Sequence, residues 1–337
     1  MKKNSRMKLN ASNFILAIAS TFSIAGSGIS HAQTTATNYP DRPVTIVLGY
    51  PAGGATDRVT RLAAKALSEQ TGQSFIVENR AGANSNIGAE YVARTKPDGY
   101  TLYVGTIANT INRTLYTKLN YDILEDFTPI GLLASVPNVL VINPKLPIHS
   151  VTEYIAYART NPGKLTCASA GSGSSIHLSC ELFKIETNTN ILHVPYKGSG
   201  PAVADLMGGQ VDSMFDNLPS ALPHIKSGKL LALGVTSPDR VAIAKDLPTL
   251  AESGLPKFAV MSWFGLFARE GTPKPIVDKL NAELNRALND PAMRATYTDA
   301  GFVSPTPPNS PQQFDAFTQG EIVRWRKVIN TTGIKVD

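Results

Sequence analysis

The sequence predicts an α/β protein folded as two lobes, and three observations predict it. Short β-branched runs alternate with amphipathic stretches in the order β-α-β-α-β. The same alternation starts afresh at residue 150 and gives a second unit of similar size. Two apolar strands, 139–144 and 263–268, bracket that second unit. They read as the two crossings between lobes, so the first lobe is discontinuous, 39–142 plus 263–337, and the second lobe, 143–262, is inserted in it. Each lobe is then a mixed, mostly parallel sheet flanked by helices, with a ligand cleft and a two-strand hinge between lobes.

A stretch of another kind precedes the first lobe. Lys2, Lys3, Arg6 and Lys8 form a positive start, Phe14 to Gly26 is an apolar and small-residue core, and Ser30-His31-Ala32 precedes Gln33 at cleavage spacing. Residues 1–32 therefore read as a secretory signal peptide, its core too short for a permanent anchor. No cysteine stands at the cleavage site to signal a lipid anchor. Nothing after it is long and apolar enough to cross a membrane.

The same segment accounts for the charge. The 337 residues carry 32 Lys+Arg against 26 Asp+Glu, a formal net charge of +6, but four of the basic residues and no acidic one precede Gln33. That leaves +2 over 305 residues with no basic block, which removes nucleic acid as an expected partner. A chain of that length divides naturally into two domains that each bury a core. Cys167 and Cys180 are the only cysteines, 13 positions apart, and in an exported protein they are a possible disulfide. Such a bridge would stabilise by about 3 kcal/mol if the geometry fits.

In the first lobe Val44–Leu48 is a β-branched strand, followed by a glycine loop and a helix over 57–70 with Val59, Leu62, Ala63, Ala66 and Leu67 on one side. Residues 75–77 read as a strand, 87–94 as a helix and 102–104 as a strand, with Pro97-Asp98-Gly99 as the turn before the last. In the second lobe a helix over 150–159 is broken by Asn161-Pro162-Gly163. A strand over 165–168, a Gly/Ser loop over 171–175 and a helix to about 185 follow. Strands over 193–196, 210–215 and 230–235 alternate with helices over 201–207 and 221–226. The tail is helical over 275–288 and 311–329, the latter with Phe314, Phe317, Ile322 and Trp325 at helical spacing.

Three loops carry the candidate chemistry. The first, Pro51-Ala52-Gly53-Gly54-Ala55-Thr56-Asp57, joins a strand to a helix. Adjacent glycines let backbone approach a guest closely, the helix start points N–H groups at the same place, and Thr56 and Asp57 are good caps. The loop has neither Gly-Lys-Ser/Thr nor G-x-G-x-x-G spacing, so it is no nucleotide loop of either kind. The second, Ala170-Gly171-Ser172-Gly173-Ser174-Ser175, adds hydroxyls to the same arrangement. The third, Gly105-Thr106-Ile107-Ala108-Asn109-Thr110, offers Thr106 and Asn109. Such loops lie at strand C-terminal ends, where open α/β sheets bind ligands. Charge-assisted hydrogen bonds of about 1.5–3 kcal/mol, with helix starts adding about 0.3–2, favour an anionic guest over a neutral one. Asp216 and Asn217 follow a strand and precede Pro219, placed to cap the next helix, to bond across lobes or to touch ligand. Trp263, at the second crossing, reads as hinge core.

An enzyme is the competing reading. No G-x-S-x-G elbow is present, and Ser174 or Ser175 near His177 is the only hydrolase-like pairing. His177 and Glu181 sit at i, i+4 spacing, but no third metal ligand is in sight, and no cofactor is expected. His193 opens a strand as a packed residue.

With these segments in hand, the chain resembles the Bug family, the extracytoplasmic solute receptors of tripartite tricarboxylate transporters, from about Tyr39 to Asp337. The likeness rests on Tyr39-Pro40-Asp41-Arg42-Pro43-Val44, Pro51-Ala52-Gly53-Gly54-Ala55-Thr56-Asp57, Val77-Glu78-Asn79-Arg80-Ala81-Gly82-Ala83 and Lys96-Pro97-Asp98-Gly99-Tyr100-Thr101-Leu102. It continues in Gly171-Ser172-Gly173-Ser174-Ser175-Ile176-His177-Leu178, His193-Val194-Pro195-Tyr196-Lys197-Gly198, Gly209-Gln210-Val211-Asp212 and Gly228-Lys229-Leu230-Leu231-Ala232-Leu233-Gly234-Val235. The resemblance implies a periplasmic binding protein of type II-like, Venus-flytrap form. Such a receptor closes on a carboxylate, a di- or tricarboxylate or an aromatic acid, and delivers it to membrane transporter subunits, as a monomer and without catalysis. It places the ligand loops at Ala52 to Thr56, around Thr106 and Asn109, and at Gly173 to Ser175. The chain departs from the family pattern at Cys180 and Ala55, so the resemblance does not imply the disulfide. A secreted serine hydrolase and a ligand-presenting sensor component are the alternatives.

Overall fold

The computed structural model describes residues 38–333, so the expected signal peptide lies outside the described residues. Nine strands form one continuous ladder in the order β2-β1-β3-β9-β4-β7-β5-β6, with β8 also on β4. One half of it is parallel at its edge. β1 (Val44–Leu48) pairs in parallel with β2 (Phe75–Asn79) and with β3 (Thr101–Thr106), as the intervening helices α1 (Ala55–Thr71) and α2 (Asn86–Ala93) require. Beyond β3 the chain runs through α3 (Ile107–Leu115) into β4 (Phe127–Ile142).

The other half repeats the plan. After α4 (Val151–Thr160), β5 (Thr166–Ser169) pairs in parallel with β6 (Leu192–Pro195) and β7 (Ser213–Asn217). The helices α5 (Ser175–Thr187), α6 (Ser199–Gly208) and α7 (Leu218–Lys226) connect or follow them, and β8 (Leu231–Val235) closes the half. The chain then returns through β9 (Met261–Arg269) and ends in α8 (Lys274–Asn289), α9 (Pro291–Ala300) and α10 (Pro311–Thr332).

β4 belongs to both halves. Its 16 residues pair antiparallel with β9 over 127–137 and then with β7 and β8 over 138–142. Only its end, 139–144, reads as a strand from sequence, because Pro129, Gly131 and Pro137 interrupt the earlier part. A register shift between Pro129 and Gly131 absorbs the first two, a second shift follows at Leu132/Ala134, and Pro137 pairs in register with Met261. Just before β9, Val260 N–H donates to Thr236 O, which follows β8, at 3.0 Å.

Two further sequence expectations change. The third candidate loop is no loop: Gly105 and Thr106 end β3, and residues 107–110 are the first turn of α3. α9 was not foreseen, since its sequence lacks an apolar stripe. Asp290 starts it by accepting from Met293 N–H at 2.9 Å.

Trp263 is buried and packs edge-on against Phe314 and Phe317 at 5.8 and 5.6 Å. Its indole N–H and that of Trp325 both donate to Glu321 Oε2 at 3.1 Å, tying α10 to β9. Beside them Gly105 and Gly265 face each other across β3 and β9. A Cβ on Gly265 would lie 1.9 Å from Phe314 Cζ, and one on Gly105 would lie 2.6 Å from Phe267 Cε2. The missing side chains let the Phe267 and Phe314 rings close to 4.9 Å. Gly265→Ala is therefore expected to lower unfolding free energy by about 1–3 kcal/mol through overpacking, read as a drop in denaturation midpoint without a change in slope.

Candidate binding site

A narrow pocket, partly open to solvent, lies where the C-terminal ends of the strands from both halves meet. Five helix starts converge on it. Gly54, Ala55 and Thr56 come from α1, Thr106 and Ile107 from α3, Ser174, Ser175 and Ile176 from α5, Ser199 from α6 and Asn217 from α7. Tyr50, Pro51, Ala170, Ser262 and Phe264 complete the wall, and no acidic or basic side chain lines it. The first four N–H groups of a helix have no partner within it, so each start brings unpaired donors and the positive end of a dipole.

The first loop is braced from behind. Asp57 Oδ2 accepts from Gly53 N–H at 3.1 Å, while Oδ1 accepts from Asn79 Nδ2 and Arg61 Nε, both at 3.0 Å. Burial raises the Asp57 pKa, but the hydrogen bonds from Arg61, Asn79 and Gly53 outweigh it and hold the carboxyl below its ordinary range. Asp57 thus shapes the turn without lining the pocket, and neither it nor Thr56 is the cap. Gly54 is the cap residue of α1 and offers no side chain, which leaves the helix start open toward the cavity.

Thr106 caps α3 by accepting from Ala108 N–H at 3.2 Å. Asn109 turns inward: Oδ1 accepts from Thr106 N–H at 2.9 Å, and Nδ2 donates to the Tyr103 and Tyr121 hydroxyls at 2.9 Å each. It fixes the helix start and does not line the pocket. Ser174 caps α5, accepting from His177 N–H at 3.2 Å and donating to Gly171 O at 2.7 Å. Ser175 Oγ donates to Ser262 Oγ at 3.3 Å. Gly173, at φ +85°, faces the first half, where a Cβ would stand 2.9 Å from Asn84 Nδ2.

Of the residues picked from sequence, Gly54, Ala55, Thr56, Thr106, Ser174 and Ser175 share this one wall. Ala52, Gly53, Asp57, Asn109, Gly173 and Asp216 stand outside it. Asp216 is fully buried behind Ser199, whose hydroxyl donates to Asp216 Oδ1 at 2.7 Å. Sequence reasoning missed Ser199, Ser262, Tyr50 and Phe264 and gave Asn217 no firm role. A signal for Ser199 existed in Lys197-Gly198-Ser199 after β6, the strand, glycine and helix device used by the two recognised loops.

Cys167 on β5 and Cys180 on α5 are free, buried thiols, so the structure holds no bridge between them. Neither Ser174 nor Ser175 is hydrogen-bonded to the His177 ring. Its Nδ1 accepts from Gly173 N–H at 3.0 Å, Nε2 stands 3.7 Å from Glu181, and the ring stacks on His193 with centroids 4.0 Å apart. Buried His177 and partly buried Glu181 therefore form a brace behind the serine loop. Among the described residues no group of three His, Cys, Asp or Glu is placed to hold a metal.

Comparison with known proteins agrees with this geometry. The profile of the tripartite tricarboxylate transporter family receptor matches residues 59–334. Protein BugT of Bordetella pertussis is 39% identical over 324 residues, covering 96% of this chain and 98% of its own. The structure of the periplasmic binding protein BugD superposes with TM-score 0.85 at 36% identity, covering 88% of this chain and 99% of that one. That of R. palustris Rpa4515 with adipate gives TM-score 0.86 at 41% identity, covering 88% and 99%. The architecture is that of a two-lobed α/β periplasmic binding protein.

His177 supplies a test of the brace. Burial, aided by the Lys184 charge, pushes its pKa down from 6.5 to about 4, so the folded protein holds it neutral. Its contribution is complete above pH 6.5 and is lost as pH falls through about 4, where the unfolded chain takes up the proton first. A shift of that size corresponds to about 3 kcal/mol. In His177→Asn, whose Oδ1 can still accept from Gly173, the loss of melting temperature between pH 6.5 and 4 should shrink relative to the parent.

Proposed function

We propose, given that this chain belongs to the tripartite tricarboxylate transporter family of receptors, that it captures a small carboxylate in this pocket in the periplasm and presents it to membrane transporter subunits. The observation that carries the reading is the convergence of five helix starts on one cavity with no ionised side chain in its wall. Such a wall is rich in N–H and O–H donors and positive in potential, and it suits an anion whose charge the protein does not itself neutralise. Four or five charge-assisted contacts reach about −8 kcal/mol, a micromolar affinity, after carboxylate desolvation is offset. The adipate bound in the Rpa4515 structure has the same chemistry.

The division that fits this function is 39–142 with 263–337 as one lobe and 143–262 as the other, hinged at β4 and at the crossing before β9. Closure brings Gly54 to Thr56 and Thr106 against Ser174, Ser175, Ser199 and Asn217. Contacts across the pocket rim already support it. Arg58 donates to Pro219 O at 2.6 Å, and a Cβ on Gly198 would lie 2.5 Å from Pro51 Cδ. The guest favours the closed form by the difference between its affinities for the two forms. The pocket is used for binding and not for turnover, by a single copy of the chain.

The test is a thermal-shift screen of the mature protein with adipate, malate, citrate, terephthalate and nicotinate, followed by calorimetry. At least one acid should raise the melting temperature while its amide analogue does not. Gly54→Val places a side chain in the pocket, since an added Cβ meets nothing nearer than Ser199 Cβ at 3.8 Å. It should weaken binding at least tenfold and leave the melting of the empty protein unchanged. Thr56→Ala should cost about tenfold, near 1.5 kcal/mol. Carboxylates that leave the melting curve unmoved, or a Gly54→Val protein that binds as the parent does, would overturn the reading.

A further inference from the structure

We infer that Asp216 and Ser199 form a proton-linked relay behind the pocket wall, which makes capture of a carboxylate depend on uptake of one proton. This deepens the carboxylate reading and rests on it. Ser199 lines the pocket opposite Gly54, and its hydroxyl is 2.7 Å from Asp216 Oδ1. Asp216 is fully buried, and its Oδ2 has no aligned hydrogen-bond partner among the described residues. A buried carboxylate normally has a cation or a full set of donors. This one has neither.

The surroundings of Asp216 are neutral. The groups that act on it are the Ser199 hydroxyl from α6, the Ser220 hydroxyl from α7 and the backbone of Asn217. Across β4 it faces Val139. Charged and titratable groups on the neighbouring elements are engaged elsewhere. Arg58 of α1 donates to Pro219 O, Asp205 of α6 accepts from Tyr196, Asp212 before β7 accepts from Thr166, and His177 of α5 accepts from Gly173. His224 and Lys226 lie in the last turn of α7, away from Asn217 at its start. Burial, with nothing to offset it fully, pushes the Asp216 carboxyl up to about 6.

The relay follows from hydrogen-bond direction. An ionised Asp216 can only accept, so Ser199 donates to it and turns lone pairs toward the pocket. A buried negative charge then also stands behind the wall. When Asp216 takes a proton from solvent, its O–H donates to Ser199 Oγ, and the Ser199 hydrogen is free to donate to a guest carboxylate. On release the proton returns to solvent. Both effects have one sign: binding tightens as pH falls through the Asp216 range and weakens above it, by up to about tenfold per pH unit in the limit of full coupling.

Calorimetric titration with adipate at pH 6.5 and 8, where adipate is a dianion, tests this on the mature protein, Asp216→Asn and Ser199→Ala. The parent should lose at least fivefold in affinity between the two pH values. It should also take up protons on binding, seen as a dependence of heat on buffer ionisation enthalpy. Asp216→Asn, whose Nδ2 can donate to Ser199 Oγ as the protonated acid does, should bind at pH 8 within about twofold of the parent at pH 6.5, with no proton uptake. Ser199→Ala should bind more weakly at pH 6.5 and show a smaller pH dependence. Parent affinity that is flat between pH 6.5 and 8, or binding without proton uptake, overturns the relay and leaves the carboxylate reading standing. If Asp216→Asn does not fold, the parent's proton count decides alone. Absence of adipate binding at every pH in all three proteins overturns the carboxylate reading for this acid and the relay with it.

Discussion

The start of a helix is left with amide hydrogens that the helix itself cannot use, and they must be met by a side chain, by water or by a guest. In five of the ten described helices a side chain meets one of them, and α2 and α8, whose starts do not line the pocket, have no such cap. Ser150, Asp290 and Ser310 cap α4, α9 and α10, and none of the three lines the pocket. At the pocket the provision is partial. α1, α6 and α7 begin on Gly54, Gly198 and Asn217 with no side-chain cap, and Thr106 and Ser174 each accept a single hydrogen bond from their own helices. The local shortage of acceptors is what the proposed site consists of, and an acceptor-rich guest is what would fill it.

That shortage has to be assembled from distant pieces of chain, and the sheet does the assembling. Parallel strands point their C-terminal ends the same way, so each strand-to-helix turn in a half delivers its helix start to one edge. β4 sets the two edges opposite each other, because it is a strand of both halves. The bracing behind the first turn keeps its charge off the wall. Asp57 spends both oxygens on Gly53, Asn79 and Arg61, and the loop gains order without a negative group in the cavity.

The alternation of strands and helices was readable because it depends on local pattern, and so were the two glycine loops, whose residues do their work through backbone. Positions whose role depends on packing were not. Thr106 and Asn109 look alike in sequence as polar residues after a strand. One faces the cavity, and the other is pulled inward by two tyrosine hydroxyls from elsewhere in the chain. Ser199, Ser262 and Asn217 are single polar residues on different elements, and only the sheet order makes them neighbours. Pro129 and Pro137 hid most of β4: the register shift beside Pro129 is set by the partner strand, and Pro137 pairs with Met261 without any shift. The pairing of two cysteines is likewise a matter of where strand and helix lie, and here they remain thiols.

A wall made of amides, hydroxyls and dipole ends, with every ionised group held behind it, has a consequence for how the protein meets its surroundings. Dissolved salt weakens attraction between charges that act through solvent over distances comparable to the Debye length, about 8–10 Å at ordinary ionic strength. Hydrogen bonds at a pocket wall act over distances shorter than that. A grip of the proposed kind would trade long-range steering for constancy, with affinity depending less on salt than that of a site built on exposed charges.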